Sequence, residues 1–129
     1  MDKEINYDTK LPESELDVML AVWNTEAPVT SPKLMKALGN DRGWKAPTLI
    51  SFLNRLEERG FIASSKSGKE RIYTALADKD KYLHRLACSF VERCYNGSVG
   101  DFLNSLYMNK MLDNNDIDAL LTWLKAKYN

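Results

Sequence analysis

Apolar residues at helical spacing between positions 49 and 56, an alternating two-strand pattern directly after them, and purely helical periodicity beyond position 76 predict a mainly α chain. The order of its elements is that of a winged helix-turn-helix domain, three helices plus a β-hairpin wing, followed by a helical domain. The boundary is expected after residue 76, giving domains 1–76 and 77–129.

The central stretch, residues 43–62, reads G-W-K-A-P-T-L-I-S-F-L-N-R-L-E-E-R-G-F-I. Leu49, Phe52, Leu53 and Leu56 fall at i, i+3, i+4 and i+7, one stripe of a helix facing a core. Pro47 sits in the opening turn, where its missing N–H is no loss, and Gly60 follows the last periodic residue, where a left-handed C-cap is wanted. The helix is therefore placed at about 46–59. Opposite the stripe, Pro47, Ser51, Asn54 and Glu58 point to solvent, flanked by Thr48, Ile50 and Arg55, with Lys45 just ahead. Short polar side chains on such a face can reach base edges in a DNA groove, and their competing reading is a solvated helix face. Trp44, ahead of the helix, is read as a packing anchor rather than a base-stacking residue.

Residues 61–66 (F-I-A-S-S-K) and 71–76 (R-I-Y-T-A-L) alternate as strands do and are joined by the turn-rich S-G-K-E at 67–70. Lys66, Lys69 and Arg71 cluster at this hairpin's tip, placed to lie along a phosphate backbone.

Ahead of the central stretch, residues 1–10 are polar and expected to fray. Leu16, Met19, Leu20 and Trp23, widened by Val18 and Val22, mark a first amphipathic helix at about 13–24. A short extended piece at 27–29 leads to Thr30-Ser31-Pro32, a hydroxyl N-cap and first-turn proline opening a second helix with Leu34, Met35 and Leu38. Residues 39–43, with two glycines and two turn-forming Asx residues, break that helix.

Downstream, Asp78 caps a long helix with Leu83, Leu86, Ala87, Phe90, Val91 and Cys94 on one face, and Asn96-Gly97 ends it. A short helix with Val99, Phe102, Leu103 and Leu106 follows, then Asp113 caps a last one with Ile117, Leu120, Leu121, Leu124 and Tyr128. Helices this short bury too little surface for comfortable stability alone, so pairing with a second copy is expected, with Phe102, Leu106, Leu120 and Leu124 near the contact. The two-fold symmetry of such a homodimer matches a palindromic operator.

Composition is permissive. The chain has 129 residues, 44% hydrophobic and 28% charged, ordinary for a globular protein. Its formal net charge is zero, so nucleic-acid binding needs local charge; residues 45–76 carry six basic and three acidic side chains, a local +3. The longest apolar run, Met19 to Trp23, is five residues, and the chain starts M-D-K-E-I-N-Y-D-T-K. No membrane insertion, signal peptide or anchor is expected, and the localisation expected is cytoplasmic. Cys88 and Cys94 lie ~9 Å apart along a helix, beyond disulfide reach, and are read as reduced, buried thiols. His84 and Cys88 stand at i, i+4, but two ligands are not a metal site and no further histidine exists. With no third group to orient a Cys-His pair, no Gly-rich phosphate loop and no paired carboxylates, neither an enzyme nor a cofactor is expected.

The segments L-P-E-S-E-L-D-V-M-L-A-V-W, G-W-K-A-P-T-L-I-S-F-L-N-R-L-E-E-R-G-F-I, R-I-Y-T-A-L and F-V-E-R-C-Y-N-G-S-V-G-D-F-L resemble, in order and spacing from Leu11 to Tyr128, the penicillinase repressor (BlaI/MecI) family. The resemblance implies a dimeric winged-helix transcriptional repressor whose partners are double-stranded operator DNA, a second copy of itself, and an upstream membrane sensor or protease. Thr48 and Ser51 match the family's base-facing threonines. The chain departs from the family at Pro47 and Ile50, where longer polar or basic side chains are usual, and at Glu58-Arg59, where two lysines are frequent. Discrimination is therefore expected to rest on few contacts. Ser105-Leu106 aligns with the family's Asn-Phe cleavage bond, and the C-terminal Cys-x-Cys of copper-responsive relatives is missing. The alternative function, from another class, is a winged-helix module for protein–protein contact, using the neutral surface and an exposed Ile50.

Overall fold

The computed structural model describes residues 4–38 and 42–128. In order these form α1 (Glu13–Asn24), α2 (Ser31–Leu38), α3 (Ala46–Glu58), β1 (Ile62–Ser67), β2 (Glu70–Ala75), α4 (Lys79–Tyr95), α5 (Val99–Met108) and α6 (Asn114–Tyr128). The chain divides into two compact units, Met1–Leu86 and Ala87–Asn129, with the division falling inside α4. Among the described residues no helix is long and apolar enough to cross a membrane.

In the first unit local chemistry sets the start of α2 and the end of α3. The Thr30 hydroxyl accepts the Lys33 N–H at 3.4 Å to start α2. Of the turn expected at 39–43, Gly39, Asn40 and Asp41 lie outside the described residues. At the far end of α3, Gly60 adopts φ +82°. Its N–H reaches the Glu57 carbonyl (2.9 Å) while the Phe61 N–H reaches that of Leu56 (3.0 Å), the paired bonds of a Schellman cap. This closure turns the chain directly into the hairpin, where β1 and β2 pair antiparallel from Ile62 opposite Ala75 to Ser67 opposite Glu70. Gly68, at φ +65°, takes the first of the two turn positions, where a left-handed residue matches the strand twist. The extended piece at 27–29 adds one bridge, the Tyr73 N–H donating to the Val29 carbonyl at 2.9 Å.

The core of this unit joins Val18 and Met19 of α1, Leu34 of α2, Leu49, Leu53 and Leu56 of α3, and Phe61 and Ile62, all essentially without solvent contact. Burying each large apolar side chain stabilises the fold by about 1.5–3 kcal/mol. Tyr82 of α4 belongs to the same core, its ring edge-on to Phe61 at 5.4 Å.

Tyr82 also overturns the expectation that residues 1–10 fray, so far as residues 4–10 are concerned. Its hydroxyl donates to the Thr9 carbonyl (2.9 Å) and accepts the Leu11 N–H (3.1 Å). The Tyr7 hydroxyl accepts the Asp78 N–H (2.9 Å), and Arg85 pairs with Asp8 (2.7 Å). These bonds satisfy backbone groups that a frayed arm would leave to water, and they tie the arm to the start of α4.

The second unit is built from the end of α4 with α5 and α6. Asn96 (φ +50°) and Gly97 (φ +80°) terminate α4. The Ser98 hydroxyl then caps α5 by accepting the Asp101 N–H (3.1 Å), and Asp113 and Asp116 cap α6 reciprocally (2.8 and 3.0 Å). Phe90, Tyr95 and Phe102 form a triangle of tilted and edge-on rings 5.6–6.1 Å apart. No side chain of α5 or α6 is fully buried. Cys88 and Cys94 are both exposed, not buried as expected, because helical periodicity marks a face without showing that anything covers it.

Candidate nucleic-acid interface

The two sides of α3 differ as its sequence demands. Leu49, Leu53 and Leu56 are 0% exposed, while Lys45, Thr48, Ser51, Asn54 and Arg55 are all exposed. Lys45 is the extended residue before the first turn, and Pro47 lies within that turn. Ile50 is half-buried and packed against the core, a correction to its expected exposure: its position beside the Leu49–Leu53 stripe lets the branched side chain fold inward. Trp44 is half-buried with its ring 5.0 Å from Phe52 and the Arg42 guanidinium 5.5 Å from its centre, the geometry of a packing anchor.

Lys66 and Arg71 stand opposite each other on the hairpin, and Lys69 occupies its turn; all three are exposed. Arg71 donates from Nη1 to the Ser64 hydroxyl at 3.0 Å. A groove runs between α3, the wing and the start of α2, and Asn54, Lys69 and Arg71 all border it. Lys45, Thr48, Ser51 and Arg55 stay outside that groove on the open side of α3, and Lys66 stays outside it on β1.

Three features of this face were not found by sequence reasoning. Arg59, counted in the local +3, donates from Nε to Glu15 Oε1 at 2.8 Å, and the Glu15 side chain is only 2% exposed. A carboxylate shut away from water holds a cationic partner, so the Arg59 charge is paired with Glu15 although its side chain stays about one-third exposed. The signal was present: Glu15 lies three and four residues before Val18 and Met19, on the buried stripe of α1. The second feature is Thr30 and Ser31, which bring the start of α2 to the groove's rim. The third is Tyr73 at its floor: burial pushes its phenol up, Glu57 adds to that and Arg71 opposes it, so it stays a neutral O–H donor near neutral pH. Among the described residues no three His, Cys, Asp or Glu side chains gather where they could hold a metal ion.

Three packed helices, a two-stranded wing and an outward polar row on α3 define a winged helix-turn-helix protein. The family model described as Penicillinase repressor matches residues 11–126, and the chain belongs to that family. It is 26% identical over 120 residues to the penicillinase repressor of Bacillus licheniformis, covering 93% of both chains. It is 30% identical over 114 residues to a 16.5 kDa protein encoded in the ptsI 3′ region of Latilactobacillus sakei, covering 88% of this chain and 77% of that one. The methicillin resistance regulatory protein MecI of Mammaliicoccus sciuri is 20% identical over 122 residues, with 95% and 98% covered. Among solved structures, the DNA-binding domain of the repressor BlaI superposes with a TM-score of 0.51 at 24% identity, over 61% of this chain and 94% of that one, a likeness of fold.

Proposed function

We propose that this chain is a cytoplasmic transcriptional repressor that binds double-stranded operator DNA as a homodimer. The observation that carries the reading is the exposed row Thr48, Ser51, Asn54 and Arg55 on a helix whose other face is sealed into the core, beside a wing bearing Lys66, Lys69 and Arg71, in a chain of the penicillinase repressor family. In this reading α3 enters the major groove, Thr48 and Ser51 meet base edges, Lys45, Arg55 and the wing cations meet phosphates, and residues 1–76 form the DNA-binding domain. Residues 77–129 dimerise through the apolar surface around Phe102, Leu106, Leu120 and Leu124. The first three are half-buried and Leu124 is 37% exposed, leaving area for a second copy to cover.

An upstream membrane sensor or protease would relieve repression. The Ser105-Leu106 bond lies within α5 with both residues half-buried, so cutting there requires local unwinding. The alternative, a protein–protein contact module, draws on an exposed Ile50, whereas Ile50 is half-buried against the core with only part of its side chain on the groove.

A gel-shift titration against the DNA upstream of the chain's own gene, at two salt concentrations, tests the reading. Binding that weakens steeply with salt is expected if phosphates carry the affinity. No binding even at low salt would refute it.

A further inference from the structure

We propose that the groove between the start of α2, the middle of α3 and the wing binds one phosphate group of the DNA backbone, with the Tyr73 hydroxyl as its central donor. This rests on the DNA-binding reading and deepens it: Lys69 and Arg71 of the wing and Asn54 of the α3 row border this groove, and Tyr73 is the donor that reading did not use.

Tyr73 is only 4% exposed and its ring belongs to the core, yet its hydroxyl has no hydrogen-bond partner among the described residues. No fully buried side-chain nitrogen or oxygen of those residues is left unsatisfied, so the hydroxyl lies at the little surface Tyr73 keeps, which opens on this groove. A phenol whose ring is fixed in the core while its hydroxyl opens on the groove without a protein partner is a preset donor for a ligand's acceptor.

The groove's other donors converge on the same ligand chemistry. Arg71 uses one nitrogen of its fork for Ser64 and keeps the rest, Lys69 adds a second cation from the turn, and Ser31 and Asn54 supply a hydroxyl and an amide. Glu70 on the rim leaves the groove a net single positive charge, suited to the single negative charge of a phosphodiester. The start of α2 offers little of its own: Pro32 has no N–H, and those of Lys33 and Leu34 are taken by Thr30. Recognition therefore falls to side chains.

Tyr73→Phe removes only the oxygen, which holds nothing in the fold, so its thermal midpoint should match that of the unaltered protein. Fluorescence anisotropy on the upstream duplex and on a scrambled duplex of equal length should show affinity falling about tenfold on both. The slope of log affinity against log salt should stay unchanged, since the lost donor is neutral, whereas Arg71→Ala should reduce it by about 1. Undiminished binding of Tyr73→Phe to both duplexes would overturn the site. A loss confined to the upstream duplex would overturn the assignment to phosphate, and a lowered midpoint would contradict the free hydroxyl. Failure of the unaltered protein to bind either duplex would instead sink the DNA-binding reading, and the site with it.

Discussion

Thr48 and Ser51 stand one turn apart on the exposed side of α3, and neither side-chain hydroxyl bonds to another described residue, so both hydroxyls are available to a partner. With Pro47 and Ile50 nearby in place of longer polar groups, each base contact carries a large share of the discrimination, roughly 1–3 kcal/mol. Ser51→Ala should therefore flatten preference at one base pair of each half-site, read from binding to a panel of singly substituted operators, with thermal stability unchanged. Loss of stability with base preference intact would make Ser51 structural. Lys69 has the opposite character, an exposed cation in a two-residue turn. Lys69→Ala should weaken binding to all sequences alike and reduce the salt slope by about 1. A shift in which sequence is preferred would contradict a purely phosphate role.

Among the elements, α3 is held twice at its C-terminal end: the Schellman cap at Gly60 closes it, and the Glu15–Arg59 pair ties that closure to α1. Glu15→Ala removes an acceptor bonded to a charged donor, and Arg59, about one-third exposed, can partly rehydrate. A loss of about 1–3 kcal/mol in urea unfolding is expected. An unchanged midpoint would show that the pair holds nothing. The helices, the hairpin and their caps were legible in the sequence because Pro47, Gly60, Asp78 and Asp113 act within a turn of themselves. The Glu15–Arg59 bridge, the Tyr73 groove and the N-terminal arm were not, since each joins residues tens of positions apart. The outward row of α3 could be read from periodicity alone. The inward turn of Ile50 and the exposure of Cys88 and Cys94 depend on what packs against each face, which periodicity does not carry.

At the scale of the molecule, apolar surface is unevenly spread. Of the ten large apolar side chains exposed among the described residues, nine fall in the Ala87–Asn129 unit, including Met108, Met111, Trp123 and Leu124. That much uncovered surface on so small a unit calls for a partner, and a second copy satisfies it symmetrically. Light scattering at micromolar concentration should give twice the 14.8 kDa chain mass; a monomer would contradict the dimer. The proposed dimer and the proposed groove recognition make a joint demand on the DNA, because two copies related by a two-fold axis can engage only half-sites on matching faces of the duplex. A footprint of the unaltered protein across the DNA upstream of its gene reads that demand directly. Two protected, inverted half-sites separated by a whole number of helical turns, about 10 base pairs each, are expected. Protection of one isolated half-site, or none at concentrations where the protein is dimeric, would contradict a dimeric operator-binding repressor.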